Sequence, residues 1–119
     1  MRLSELFESI SEFAEQTKAK YDLTAFHVYE TGNIITLSMF EVPKANRKMG
    51  IGSAVMADLV NYADVHRKMI VLTPGLQDSR HGTTSRSRLI KFYKRFGFVE
   101  NKGRNKDFAI SELMYRNPM

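Results

Sequence analysis

The sequence contains no cysteine. Disulfides, thiolate metal sites and a cysteine nucleophile are thereby excluded, and any acyl transfer must proceed without a thioester on the protein. Long apolar runs are also missing, so no segment approaches the length needed to cross a bilayer. The opening Met-Arg-Leu-Ser-Glu-Leu-Phe-Glu has neither the apolar stretch nor the small-residue cleavage site of a secretory signal. A cytoplasmic protein without a membrane partner is expected. His27, His66 and His81 are dispersed, so no metal site is expected. Negative charge is scarce after the first third of the chain. Residues 1–41 hold three Lys/Arg against seven Asp/Glu, whereas residues 42–119 hold fifteen against six. A basic region of that size predicts a polyanionic partner: a nucleic acid, an anionic surface or a multiply phosphorylated small molecule. Charge alone does not choose among them.

What is present fits one globular domain spanning residues 1–119: 43% of the residues are apolar and 26% charged, with no internal repeat or linker. Leu3, Leu6, Phe7, Ile10, Phe13 and Ala14 recur at helical spacing, which predicts an amphipathic helix from Ser4, as cap, to about residue 19. Phe26–Glu30 and Ile34–Val42 read as strands joined through Thr31-Gly32-Asn33, an antiparallel hairpin. In the second strand Ile35, Leu37 and Met39 alternate with Ile34, Thr36, Ser38 and Phe40, which predicts a sheet covered on both sides. Ile51, Val55, Met56, Leu59, Val60 and Ala63 form a second helical stripe. Lys68–Thr73 is a short buried strand, parallel to the one before the helix because a helical crossover returns the chain in the same direction. Residues 77–84 read as a loop, and residues 85–96 as a third helix with Gly97 as its C′ residue. Strands are expected at Phe98–Glu100 and Ala109–Tyr115.

Arg47-Lys48-Met49-Gly50-Ile51-Gly52-Ser53 stands where a strand hands over to a helix. Helix N-terminal N–H groups point outward with the positive end of the dipole, and glycines let an anion approach the backbone. With Arg47 and Lys48 alongside, this is a candidate nest for a diphosphate. Two glycines are a weak signal by themselves, since they also serve a tight strand-to-helix turn. The three-glycine dinucleotide fingerprint is absent, and so is the Gly-Lys-Ser/Thr of a P-loop.

The motif Arg47-Lys48-Met49-Gly50-Ile51-Gly52 resembles the Arg/Gln-x-x-Gly-x-Gly/Ala signature of the GNAT N-acetyltransferases. Leu89-Ile90-Lys91-Phe92-Tyr93-Lys94-Arg95-Phe96-Gly97-Phe98 is similar to that family's later helix and following strand, and Leu113-Met114-Tyr115-Arg116 is also typical. The likeness is closest to small GNAT domains of phages and mobile elements. It implies an α/β fold: a mixed, mainly antiparallel sheet splayed at two central parallel strands and flanked by about three helices. It further implies acetyl-CoA as co-substrate. The pyrophosphate would lie on Met49, Gly50, Ile51, Gly52 and Ser53, the pantetheine arm along Met39, Phe40, Glu41 and Val42, and Tyr93 would protonate the departing thiolate. The family often has Asn seven residues before the tyrosine, but Arg86 stands there in this chain. Arg80, Arg86 and Arg88 are therefore candidates for the CoA 3′-phosphate or for solvent.

Direct transfer in a ternary complex follows, to a primary amine such as a protein lysine or N-terminus. Glu41, at the end of the first parallel strand, is the first candidate for general base, with His81 and Asp78 in the loop as others. The oligomeric state is open, a homodimer included. Two other readings stand beside this one. A basic module could grip nucleic acid through Lys91, Lys94, Arg95, Lys102, Arg104 and Lys106; it ranks second because no motif for base readout is visible. A GNAT-like domain that binds CoA without catalysis is the third.

Overall fold

A computed structural model describes residues 9–42, 50–74 and 86–119. Helix α1 spans Ile10–Lys20 and starts at Ser9, whose extended backbone (φ −137°, ψ 155°) and side chain cap the first turn. The Ser9 hydroxyl accepts from the Glu12 N–H at 3.2 Å. Ser9 and Glu12 have the spacing of a capping box. The helix expected from Ser4 is thus corrected: extended Ser9 begins α1, and Ser4, Leu3, Leu6 and Phe7 lie outside the described residues. Ser9→Ala is expected to lower the unfolding free energy by about 1 kcal/mol in urea denaturation.

Strands β1 (Ala25–Thr31) and β2 (Ile34–Glu41) form the expected hairpin. Thr31 pairs with Ile34, so Gly32 and Asn33 make the turn, and Gly32 has the positive φ (60°) that such a tight connection demands. The register then shifts: Val28 lies opposite Leu37 but His27 lies opposite Met39, which leaves Ser38 as an extra residue. The Ser38 hydroxyl donates to the His27 carbonyl at 3.1 Å. This bulge overturns the simple alternation expected for β2. Ile35 and Leu37 are buried before it; after it Phe40 is buried and Met39 is 40% exposed, because one inserted residue reverses the faces.

Helix α2 (Ile51–Val65) leads to β3 (Met69–Leu72), which pairs parallel to β2 from Ile34–Met69 to Leu37–Leu72. Helix α3 (Arg86–Lys94) leads to β4 (Val99–Glu100), and β5 (Met114–Arg116) lies antiparallel to both β3 and β4. The sheet order is β1-β2-β3-β5-β4. The end of α3 is a Schellman motif: the Phe98 N–H reaches the Tyr93 carbonyl at 3.4 Å and the Gly97 N–H the Lys94 carbonyl at 3.1 Å, with Gly97 at φ 96°.

The last strand is shorter than the expected Ala109–Tyr115. The Asn101 amide donates to the Ile110 and Glu112 carbonyls at 2.9 and 3.0 Å, and its oxygen accepts from the Asp107 N–H at 2.7 Å. These backbone groups bond to a side chain, so the segment before Met114 folds as an anchored loop.

The main core lies between the helices and one sheet face, and joins Phe13, Leu59 and Tyr62 to Ile35, Leu37, Ile70, Leu72 and Met114. On the other face a small cluster joins Val71, Ile110 and Tyr115. Among the described residues, the expectation of a sheet covered on both sides is met only there. At β1 the outward residue His27 is exposed and Tyr29 is 53% exposed. No helix among the described residues is long and apolar enough to cross a membrane.

Candidate functional site

Gly50 is the N-cap of α2 in the left-handed conformation (φ 73°), with no side-chain cap bond and no acidic residue in the first turn. The Gly50 carbonyl accepts from the Ala54 N–H at 3.1 Å, which leaves the N–H groups of Ile51, Gly52 and Ser53 at the start of the helix without an intrahelical acceptor. An uncapped start of this kind concentrates the positive end of the dipole on a few outward donors. Among the described residues, a Cβ built on Gly50 would meet nothing within 4 Å, whereas one on Gly52 would lie 3.7 Å from the Phe92 ring. Among the described residues, the start of α2 is therefore uncovered at Gly50 and abuts α3 at Gly52.

The second part of the site is the end of β2. Its ladder with β3 stops at Leu37–Leu72, but β2 continues to Glu41, still paired to β1. The two parallel strands pair over four residues each, Ile34–Leu37 with Met69–Leu72, and β2 extends four residues beyond that ladder. Met39 is exposed, Phe40 is in the core, and Glu41 and Val42 are half-buried. Phe40, with Val42 and Ile51 packed against the cluster, shares the main core with Tyr93. That core holds together the end of β2, the start of α2 and α3.

Tyr93 is 3% exposed and packs edge-on against Phe92 and Phe98, with ring centroids 5.2 and 5.7 Å away. Its ring position is set by α3 and by the Schellman turn, where Tyr93 and Phe98 make the apolar contact that accompanies the motif. Arg86 opens α3, but its side chain is outside the described residues, as are Arg47, Lys48, Met49, Asp78, Arg80 and His81. Of the residues expected at the site, Gly50, Ile51, Gly52 and Ser53 form the start of α2; Met39, Phe40 and Glu41, followed by Val42, form the part of β2 beyond its ladder with β3; and Tyr93 lies in the core.

Sequence reasoning missed two contributors. The Phe92 ring lies against Gly52, where α2 meets α3; the sequence shows Phe92 only as part of the segment Leu89–Phe98, not as a partner of the glycine loop. Ser38, as the bulge, decides which of Met39 and Phe40 points outward. Beyond the end of β3 lies a cavity of about 240 Å³, lined by Pro74, Ile90, Leu113 and Met114 with Glu100 and Lys102 at its polar side.

An ion pair between a buried arginine and a half-buried aspartate braces this assembly. Arg116, on β5, holds Asp64 of α2 through two bonds of 2.7 and 3.1 Å, and its Nε donates to the Phe96 carbonyl at 2.7 Å. Burial works to raise the Asp64 pKa, but the Arg116 hydrogen bonds, the Met119 N–H and the Arg116 charge outweigh it, and the net shift is downward.

Among solved structures, the chain is similar to Ard1 from Thermoplasma volcanium, with a TM-score of 0.55 and 16% identity over 98% of this chain and 85% of that one. No protein-family model and no curated protein matches the sequence. Identity at that level speaks for the fold alone. The mixed five-stranded sheet with its three described helices has the GNAT, or acyl-CoA N-acyltransferase, fold expected from the two sequence motifs.

Proposed function

We propose that the chain is a single-domain, cytoplasmic N-acetyltransferase that carries the acetyl group of acetyl-CoA to a primary amine, a protein lysine or N-terminus among the candidates. The observation that carries this reading is the uncapped start of α2 beside the stretch of β2 that has run past its parallel partner. A diphosphate suits the first, and an extended amide-bearing arm suits the second. The fold shared with Ard1 is compatible with this reading.

In this reading the backbone of Met49, Gly50, Ile51, Gly52 and Ser53 holds the pyrophosphate, Arg47 and Lys48 add positive charge, and Arg86 serves the 3′-phosphate. Backbone at Met39, Phe40 and Val42 aligns the pantetheine arm. Glu41 accepts a proton from the acceptor ammonium, so that the amine nitrogen can form its bond to the thioester carbon. As the carbon–sulfur bond breaks, Tyr93 gives its hydroxyl proton to the leaving sulfur, and the second proton shed by the acylated nitrogen restores the tyrosine hydroxyl. The products are the amide and free CoA thiol.

Calorimetric titration with acetyl-CoA tests the donor site. Wild type is expected to bind, whereas Gly50→Trp is expected to lose binding, because its side chain would project into the open space at the helix start. Circular dichroism checks that the variant folds, since a side chain at φ 73° is strained by about 1–2 kcal/mol. No binding by folded wild type would overturn the reading.

A further inference from the structure

The sheet ends at β4, and a shallow groove of about 400 Å³ runs along that edge, lined by Lys94, Val99, Glu100, Lys102 and Asn105. Both lysines pair with the one carboxylate, Lys94 at 3.4 Å and Lys102 at 2.9 Å, so the groove keeps an excess of positive charge. From Lys91 to Lys106 the chain has six Lys/Arg and a single acidic residue, and all six cations are exposed. Arg104 makes no ion pair among the described residues.

The segment that carries Lys102, Arg104 and Lys106 is anchored at both ends. Asn101 ties its own turn to Asp107, Ile110 and Glu112, and the Tyr115 hydroxyl donates to the Asn105 carbonyl. On this anchored loop Phe108 is 90% exposed, and the Lys106 ammonium stands 5.6 Å from its ring centroid. The neighbouring apolar residue Ile110 is buried, so the loop sends one apolar side chain into the structure and holds another out of it. A flat apolar ring held in solvent among cations that outnumber their acidic partners matches a ligand with both phosphates and aromatic faces.

We propose that the β4 edge binds single-stranded nucleic acid, with Lys94, Lys102, Arg104 and Lys106 on the phosphates and a base stacked on Phe108. Such binding needs no base-reading motif, because stacking and phosphate contacts tolerate any sequence. It does not depend on acetyl transfer. Neither Phe108 nor any residue that lines the groove is among those assigned to acetyl-CoA.

The test is fluorescence anisotropy of a labelled oligouridylate with the full chain, at salt concentrations between about 50 and 200 mM. Wild type is expected to bind, with log affinity falling against log salt at a slope of about −2 to −3, as three or four phosphate contacts give. Phe108→Ala is expected to weaken binding by about tenfold or more at an unchanged slope, whereas the double change Lys102→Glu, Lys106→Glu flattens the slope. Acetyl-CoA titration of Phe108→Ala should match wild type, so failure here and failure of the acetyltransferase reading are distinguishable. Absence of binding by folded wild type at low salt would overturn the proposal. So would an unaltered affinity in Phe108→Ala, or competition by polyglutamate as effective as that by unlabelled oligouridylate, which would indicate an acidic peptide surface.

Discussion

Arg116→Ala is expected to destabilise the protein by about 1–3 kcal/mol, because it strips a half-buried carboxylate and a backbone carbonyl of their donors. The Arg116 side chain is 4% exposed and Asp64 is 26% exposed. Removing the guanidinium takes both bonds from Asp64 and the donor from the Phe96 carbonyl, and so releases α2 and the end of α3 from β5. Gly97 belongs to the same junction. A Cβ there would lie 3.1 Å from both Arg116 Nε and Met119 Cε, on a backbone already at φ 96°. Urea denaturation measures the loss. The double variant Arg116→Met, Asp64→Leu provides the control: with no charge left stranded, it should recover much of the stability.

The same pair predicts the acid response. The folded-state pKa of Asp64 is depressed, so its stabilisation is present in full above the unfolded carboxylate value and is lost as pH falls through the folded one. Wild type should therefore weaken progressively from about pH 4 downward. Arg116→Met, which removes the cause of the depression, should show a flatter profile over that range. Equal slopes for the two proteins would mean that other carboxylates dominate acid unfolding.

The parts of the fold that were legible in the sequence are those written in periodicity. The apolar stripe of α2, the run Met69–Leu72 and the two β-rich segments around Gly32 each admit one local structure, and the core then follows from which faces are apolar. The start of α1 was legible as well, at the other serine: Ser4 is followed three residues later by Phe7, whereas Ser9 is followed by Glu12, the partner that a capping box requires. The bulge at Ser38 had no such signal. One extra residue in a strand changes neither composition nor hydropathy, yet it exchanges the roles of Met39 and Phe40. The shortening of β5 was hidden for a different reason. Residues 109–115 look like a strand locally, and what withdraws their carbonyls is the amide of Asn101, a tertiary contact. At the candidate site, the glycines at 50 and 52 were legible because a strand-to-helix junction gives them meaning. Their separate duties, an open helix start and a close approach to Phe92, required the packing of α3.

Tyr93→Phe is expected to lower kcat by about 10²- to 10⁴-fold, the contribution of a positioned general acid, with acetyl-CoA affinity little changed. The reasoning starts from packing. The Tyr93 ring is fixed by edge-on contacts to Phe92 and Phe98 and by its place at the end of α3, and phenylalanine fills the same space with the same contacts. The substitution should therefore cost no more than about 1 kcal/mol of stability, the range of one hydroxyl hydrogen bond. A purely structural tyrosine would show that small loss and nothing else. An acid would also shape the pH profile: it works only while protonated, so wild-type kcat should fall as pH rises through its ionisation. That alkaline limb should vanish in Tyr93→Phe, whose residual rate reflects binding and orientation alone. Retention of kcat within about threefold, with the alkaline limb intact, would assign Tyr93 to the core and leave the proton for the sulfur to water or another residue.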